Sequence, residues 1–358
     1  SDLPRAIQYF QTALKQNPRS DLYWLHLASA YEAAGDPVQA REAYGQAKAA
    51  YPISAEVAWN YGNFLLRQSQ IEEGFQEIRR AAVTDPHLLP LAISRGWQAD
   101  SDLDHLFNNL IPRSADAYFQ ALDYFCSVHE DDPALNTWKR IIALGEAIPL
   151  ARSFPFLDEL IAQGKSKEAQ EVWRQAINSS GWPHTEPTDG SLIWNGGFES
   201  PIANGGLGWR EDYVFGAAMS IDTATFHSGS HSLRVDFSGG ANVDFHHLTQ
   251  MVPVEPQTRY HFSGYLRTEE ISTENGMRFR IIDPKHSAEL TISTDDLIRT
   301  NPWTLLDAGV MTGPDTHFLL IEVQRDTSRL FDNKLSGTVW VDDVSLTPLP
   351  ESGKAGSR

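Results

Sequence analysis

The sequence has a single cysteine, Cys126, which excludes a disulfide within the chain. Set between Tyr124-Phe125 and Ser127-Val128, that thiol reads as a small buried apolar group rather than a nucleophile. Long hydrophobic runs are also missing: no stretch approaches the about 18 apolar residues that a membrane-crossing helix needs. No charged segment followed by a short apolar one opens the chain, so no export signal is visible. Positive charge is scarce. There are 29 basic against 47 acidic residues, a formal net charge of −18. Both halves share the excess, with 16 basic to 23 acidic before residue 186 and 13 to 24 from it onward. Lacking a basic stripe, the chain is a poor partner for nucleic acid or anionic lipid. Nucleophile motifs, glycine-rich phosphate loops and the helical zinc motif are absent as well. Asp342 and Asp343, neighbours on a predicted strand, should alternate faces and so cannot oppose each other as glycoside cleavage requires. By the same rule His246 and His247 should point apart and share no metal. The expectation is a binding protein, not an enzyme.

What is present is a period. Pro18, Pro52 and Pro86 are spaced by 34 residues, and around them Ala6, Ala40 and Gly74 recur in phase. So do Phe10, Tyr44 and Ile78, then Ala13, Ala47 and Ala81; Trp24, Leu27, Ala28 and Tyr31 are echoed by Ala58, Tyr61, Gly62 and Leu65. A period of this size marks stacked helix pairs, none of which can bury its apolar face alone. Small residues let antiparallel helices approach, large ones fill the gaps between pairs, and each proline ends a second helix. Gly35 with Asp36-Pro37 supplies the turn within a repeat. This pattern resembles the tetratricopeptide repeat, which implies an α-solenoid that binds a protein or peptide. A half-repeat is expected over 2–19, full repeats over 21–54 and 55–88, then a shortened pair over 89–113 and pairs over 114–146 and 150–179. The chain opens at the second helix of a repeat and so reads as part of a longer protein.

The character changes at 181–191, rich in proline, glycine and turn formers. Short alternating runs follow at 213–221, 231–237, 259–267, 277–283, 317–324 and 337–346, which predict a β-sandwich. The expected fold is therefore multidomain, α plus all-β. Residues 1–183 form the solenoid, 184–190 a linker, 191–349 the sandwich and 350–358 a flexible tail.

Particular runs in the second half carry a second resemblance. They are NGGFE at 195–199, GW at 208–209, HSGSHSLRV at 227–235, MVPVEP at 251–256 with RYHFSGYLR at 259–267, the lone Trp303, and VWVDDVSL at 339–346. In this order they look like the jelly-roll carbohydrate-binding modules of families 4, 9 and 22. The resemblance implies a structural calcium, a cation that takes oxygens from carboxylates and backbone carbonyls. Glu199 and Asp342 match the family's carboxylates, His231 and Gly197 its backbone donors, and Ser228 stands where some members carry a second glutamate. It also implies a saccharide face. Strand alternation turns Tyr265, Arg267, Arg278, Arg280, Glu322 and Gln324 outward, with His246 beside them. If these strands are stacked in one sheet, Tyr265 would be the stacking ring and the rest would bond hydroxyls or an acidic sugar.

On the solenoid, Asn60 occupies the position that tetratricopeptide domains use to clamp a C-terminal carboxylate. His26, Pro90 and Ser94 replace the other members of that clamp, so chaperone-tail binding is not expected. Trp59, Asn60, Asn63 and Arg67 should still line a partner groove. Three readings stay open: an adaptor with a glycan-binding module in periplasmic or extracellular polysaccharide assembly, an adaptor whose sandwich only caps the solenoid, and an accessory fragment of a glycan-active enzyme.

Overall fold

The structure is a computed structural model that describes residues 2–184, 186–187 and 190–350. Three linker positions and residues 351–358, most of the expected tail, lie outside the described residues. The chain divides into two compact units, one ending at Glu146 and the other starting at Ala147.

The first unit is helical. It runs through α1 (Leu3–Gln16), α2 (Asp21–Ala33), α3 (Pro37–Ala50), α4 (Ala55–Arg67), α5 (Ile71–Thr84), α6 (Leu89–Ala99), α7 (Leu103–Asn109), α8 (Ala115–Ser127) and α9 (Asp131–Ala143). The period is visible in the caps. Ser20 accepts from the Tyr23 amide at 3.3 Å and Ser54 from Val57 at 3.2 Å, each satisfying one amide that the first helical turn leaves free. It is visible in the packing too. A β-carbon on Gly62 would lie 2.6 Å from Ile78, and one on Gly74 2.6 Å from Leu66, so α4 and α5 touch through backbone. Tyr44 and Tyr61 stack at 5.4 Å, filling the space between successive pairs, with Ala28, Ala40 and Ala47 fully buried beside them.

The second unit contains α10 (Phe154–Gln163), α11 (Ser166–Ser180) and ten strands: β1 (Arg210–Glu211), β2 (Ala217–Asp222), β3 (Ser232–Ser238), β4 (Phe245–Pro253), β5 (Arg259–Ile271), β6 (Arg278–Ile282), β7 (Thr291–Ser293), β8 (Arg299–Met311), β9 (Phe318–Arg325) and β10 (Ser336–Pro348). They form two antiparallel sheets, ordered β1-β4-β9-β6-β7 and β2-β3-β10-β5-β8. Between them lies a core that includes Phe198, Trp209, Val235, Phe262, Phe279 and Val323. Strand alternation is obeyed where it was expected. Tyr260, Phe262 and Leu266, then Met277, Phe279 and Ile281, then Leu319, Ile321 and Val323, all face this core.

The last helix pair, expected as the end of the solenoid, groups with the sandwich. The reason is a glycine strap. A β-carbon on Gly205 would sit 2.3 Å from the Phe154 ring and one on Gly206 2.5 Å from Trp173, so 205–208 lies flat on α10 and α11. Trp173 meets Trp194 edge to face at 6.1 Å, and Asp158 pairs with Arg210 at 2.5 Å. Gly206 has φ +57°, a left-handed conformation in which a side chain would be strained even without Trp173.

Candidate functional site

The expected single polar sheet does not form. Tyr265 and Arg267 stand on β5, while Arg278 and Arg280 are on β6, Glu322 and Gln324 on β9 and His246 on β4, strands of the other sheet. Since all of them point away from the core, the two sets lie on opposite faces of the sandwich. Alternation along β5, β6 and β9 is right, but the chain switches sheets between β5 and β6, which alternation cannot reveal. On the β1-β4-β9-β6-β7 sheet these polar groups pair with one another, although Arg278 Nε is buried without a hydrogen-bond partner. Arg280 pairs with Glu322 at 2.5 Å, Arg278 with Asp326 at 3.0 Å, and Gln324 donates to Asp326 at 2.6 Å. Glu322 and Gln324 are buried rather than presented. The two histidines also depart from expectation. A register shift between Phe245 and Leu248 interrupts alternation, and the rings of His246 and His247 stack with centroids 4.4 Å apart.

The carboxylates expected at a metal do come together, Glu199 in a loop and Asp342 on β10 of the opposite sheet. Glu199 accepts hydrogen bonds from the Ser230 amide at 2.7 Å and its hydroxyl at 2.6 Å, and from the His231 amide at 3.0 Å. The His231 ring nitrogen Nδ1 is 2.9 Å from the same carboxylate. Burial alone would raise the Glu199 pKa; the bonds from His231 and Ser230 outweigh it and bring it down to about 2 from an ordinary 4.5. Glu199 therefore stabilises the fold above pH 4.5, and that contribution is lost as the pH falls towards 2. In chelator, Glu199→Gln should lose stability less steeply across this window when urea midpoints are measured at stepped pH. An equally steep fall in the variant would refute the assignment.

Asp342 is wholly buried. It accepts from the amides of His227 at 2.7 Å, Ser228 at 3.2 Å and Asp343 at 2.7 Å. Burial, reinforced by the charge of Asp343, nonetheless pushes its pKa up to about 6 against the pull of these amides. Asp343 is a residue that strand alternation placed elsewhere. Its φ of +47° and the register shift after Asp342 turn its carboxylate into the same cluster. There it meets the His227 ring at 2.6 Å and the Ser228 hydroxyl at 2.8 Å. One oxygen each of Asp342 and Asp343 lies 3.6 Å from where a side chain on Gly197 would begin. The absent β-carbon leaves these oxygens facing a shared space. It opens onto a cavity of about 380 Å³ lined by Asn195, Gly197, Glu199, Ser228 and Asp343 among others. Among the described residues, no three acidic, histidine or cysteine side chains form a metal-holding group. A calcium here would need backbone oxygens to complete its shell, which is how that cation is commonly held.

His227 links this cluster to an aromatic face. Its ring stacks on Tyr265 at 3.7 Å and meets Trp303 edge-on at 5.7 Å. One side of Tyr265 is thus covered, and Trp303, half-buried, is the second ring of the face. Two residues from Tyr265, the Arg267 guanidinium lies over the buried Trp340 ring at 5.2 Å, with Arg234 over the same ring at 5.5 Å. Leu305, opposite Tyr265 on β8, is exposed. His227, Asp343 and Trp340 were not singled out from the sequence as site residues. Trp340 could have been, because it shares the outward parity of Thr338.

In the helical unit the four groove residues share α4 but are mostly engaged within it. Asn60 donates to the Glu56 carbonyl and Asn63 to that of Trp59, both at 2.8 Å. Arg67 reaches Glu32 of the preceding repeat at 2.7 Å.

The tetratricopeptide repeat family model matches residues 1–52 and 27–88, the helices α1 to α5. Solved structures similar to the chain include the CBM22-1 xylan-binding domain of Xyn10C from Paenibacillus barcinonensis, at 14% identity, covering 44% of this chain and 93% of that one, TM-score 0.29. MamA is similar at 18% identity over 50% of this chain and 90% of its own, TM-score 0.24. The enzymatically active domain of tailspike protein 4 from bacteriophage CBA120 is similar at 14% identity over 45% of this chain, TM-score 0.31, and only 22% of that chain is covered. No curated protein matches. The match to the tetratricopeptide repeat model is confined to residues 1–88 of the helical part, and the second unit is a sandwich of two antiparallel five-stranded sheets.

Proposed function

We propose that the protein is a non-catalytic binding protein: its helical repeats hold a protein partner, and its sandwich holds a saccharide on the outer face of the β2-β3-β10-β5-β8 sheet. The observation that carries this reading is the grouping of Tyr265, Trp303 and Arg267 over Trp340. Partly exposed rings beside a guanidinium give a sugar both an apolar face and hydrogen-bond donors. Calcium, where bound, would be held by Glu199, Asp342 and Asp343 with backbone oxygens near Gly197, supplying a charge that offsets the buried Asp342 and ties three loops together. Such use of calcium suits the periplasm or the cell exterior, where modules with dissociation constants of about 10⁻⁴–10⁻³ M operate. A role in envelope polysaccharide assembly fits these parts.

Affinity electrophoresis against a panel of neutral and acidic polysaccharides tests the saccharide reading. Trp303→Ala and Tyr265→Ala should each weaken retardation about tenfold or more, given the ring area and stacking lost. Arg280→Ala, on the other face, should leave it unchanged. Retardation lost in Arg280→Ala and kept in Trp303→Ala would move the site to the opposite sheet.

A second reading is favoured by the glycine strap. The sandwich covers Trp173, which is 1% exposed, and so acts as a cap on the last helix pair. A panel without any retarded polysaccharide, together with faster proteolysis near 181–191 in Gly206→Leu, would decide for the cap alone.

A further inference from the structure

Resting on the saccharide reading above, we infer that the ligand is an acidic saccharide whose carboxylate pairs with Arg267. Several of the arginines on the sheet faces of the sandwich are held by carboxylates. Arg234 grips Asp236 through two nitrogens at 2.8 Å each, Arg278 holds Asp326 and Arg280 holds Glu322. Among the described residues the Arg267 side chain, like those of Arg259 on β5 and Arg299 on β8, has neither a hydrogen bond nor an ion pair, and of the three it is the one that lies over an aromatic ring, that of Trp340.

Two of the nearby carboxylates are already committed. Asp236 also accepts from Thr338 at 2.7 Å, and Asp222 accepts from the Trp340 indole at 2.8 Å and from the amides of Ala224 and Thr225. Glu269, two residues along β5 on the same face, is exposed and adds its field to Arg234. A guanidinium packed against an aromatic ring retains donors that can grip a carboxylate through two parallel bonds. Arg267 is half-buried, so part of its hydration is already gone and a neutral hydroxyl would replace it incompletely. Tyr265 and Trp303, which flank it along the sheet, would bracket the ring that carries the acid.

The test uses the whole protein and a pair of probes that differ only at the carboxylate: tetragalacturonate and its fully methyl-esterified form. Titration calorimetry should show the acid binding about tenfold or more tightly than the ester, with an affinity that falls as salt rises. Arg267→Gln should bring the two probes to within about twofold of each other, and Arg267→Lys should restore only part of the gap. Circular dichroism of Arg267→Gln should match the parent, because the side chain holds nothing else in place. Equal binding of acid and ester by the parent, abolished by Trp303→Ala, would overturn the acidic assignment and leave the saccharide reading intact. Failure of both probes, while a neutral polysaccharide is retarded in a Trp303-dependent way, would overturn it likewise. Failure of every acidic and neutral saccharide would remove both.

Discussion

Calcium should raise the melting temperature of the unit that begins at Ala147 by roughly 5–10 °C. A ligand at a hundred times its dissociation constant adds about 2.7 kcal/mol to the native state, and a unit of this size gains about 2–4 °C per kcal/mol. The physical source is Asp342. Its carboxylate is wholly buried, with only backbone amides and the carboxylate of Asp343 about it. With a pKa lifted to about 6 from an ordinary 3.8, it opposes folding once the pH exceeds 3.8, and the cost is complete above 6. A divalent cation facing Asp342 and Asp343 across Gly197 would remove that cost. Calorimetry with added calcium and with chelator should show the rise, and Asp342→Ala and Glu199→Ala should lack it. Because either variant could fold poorly, elemental analysis of the parent gives an independent check. A parent free of metal whose transition ignores calcium would show that the amides alone satisfy these carboxylates.

Much of the architecture was legible because its signals are local. The 34-residue spacing of Pro18, Pro52 and Pro86 survives directly as the spacing of α1, α3 and α5. Side-chain parity on β5, β6 and β9 follows from the two-residue repeat of a strand. Strand order is not local. Nothing in 259–283 signals that the chain crosses from one sheet to the other between Ile271 and Arg278, so Tyr265 and Arg280 looked like neighbours. β4 and β8 were harder to see, since β8 carries Pro302 and Gly309 and β4 two adjacent histidines, residues that break an alternating pattern.

The site was legible where the resemblance named residues and obscure where backbone irregularity decided. Glu199 and Asp342, the carboxylates named by the resemblance, lie near each other, and backbone amides bond to both. Asp343 was dismissed because a regular strand turns neighbours apart; its positive φ cancels that rule. Likewise the bulge beside Leu248 brings together two imidazoles that regular pairing would separate. Tyr265 keeps its outward position but shares its ring with His227, a loop residue 38 positions earlier in the chain. Bulges and loop contacts of this kind depend on partners distant in sequence.

Replacing Arg325 by Met should cost about 3–5 kcal/mol, because buried acceptors lose the charged donor that satisfies them. This side chain is fully enclosed at the end of β9. Its guanidinium donates to the carbonyls of Val243 at 2.5 Å and Asn275 at 3.3 Å, to the Asn242 side chain at 3.0 Å and to the Thr273 hydroxyl at 2.9 Å. Burial lowers its pKa, with Glu274 the foremost charge pulling the other way. Methionine fills similar space, so packing loss stays small and the effect isolates the hydrogen bonds. The Asn242 side chain also accepts from the Ser328 amide at 2.9 Å. Freed from Arg325, the segments around 242, 273 and 328 would lose their common anchor. Lysine retains the charge but, as a compact ammonium on a flexible stem, cannot reproduce the planar fork that reaches four acceptors at once, so Arg325→Lys should recover less than half of the loss. Denaturant unfolding followed by tryptophan fluorescence measures both variants. A shift of less than about 1 kcal/mol for methionine, within the range of ordinary surface changes, would mean that water replaces the guanidinium at these acceptors.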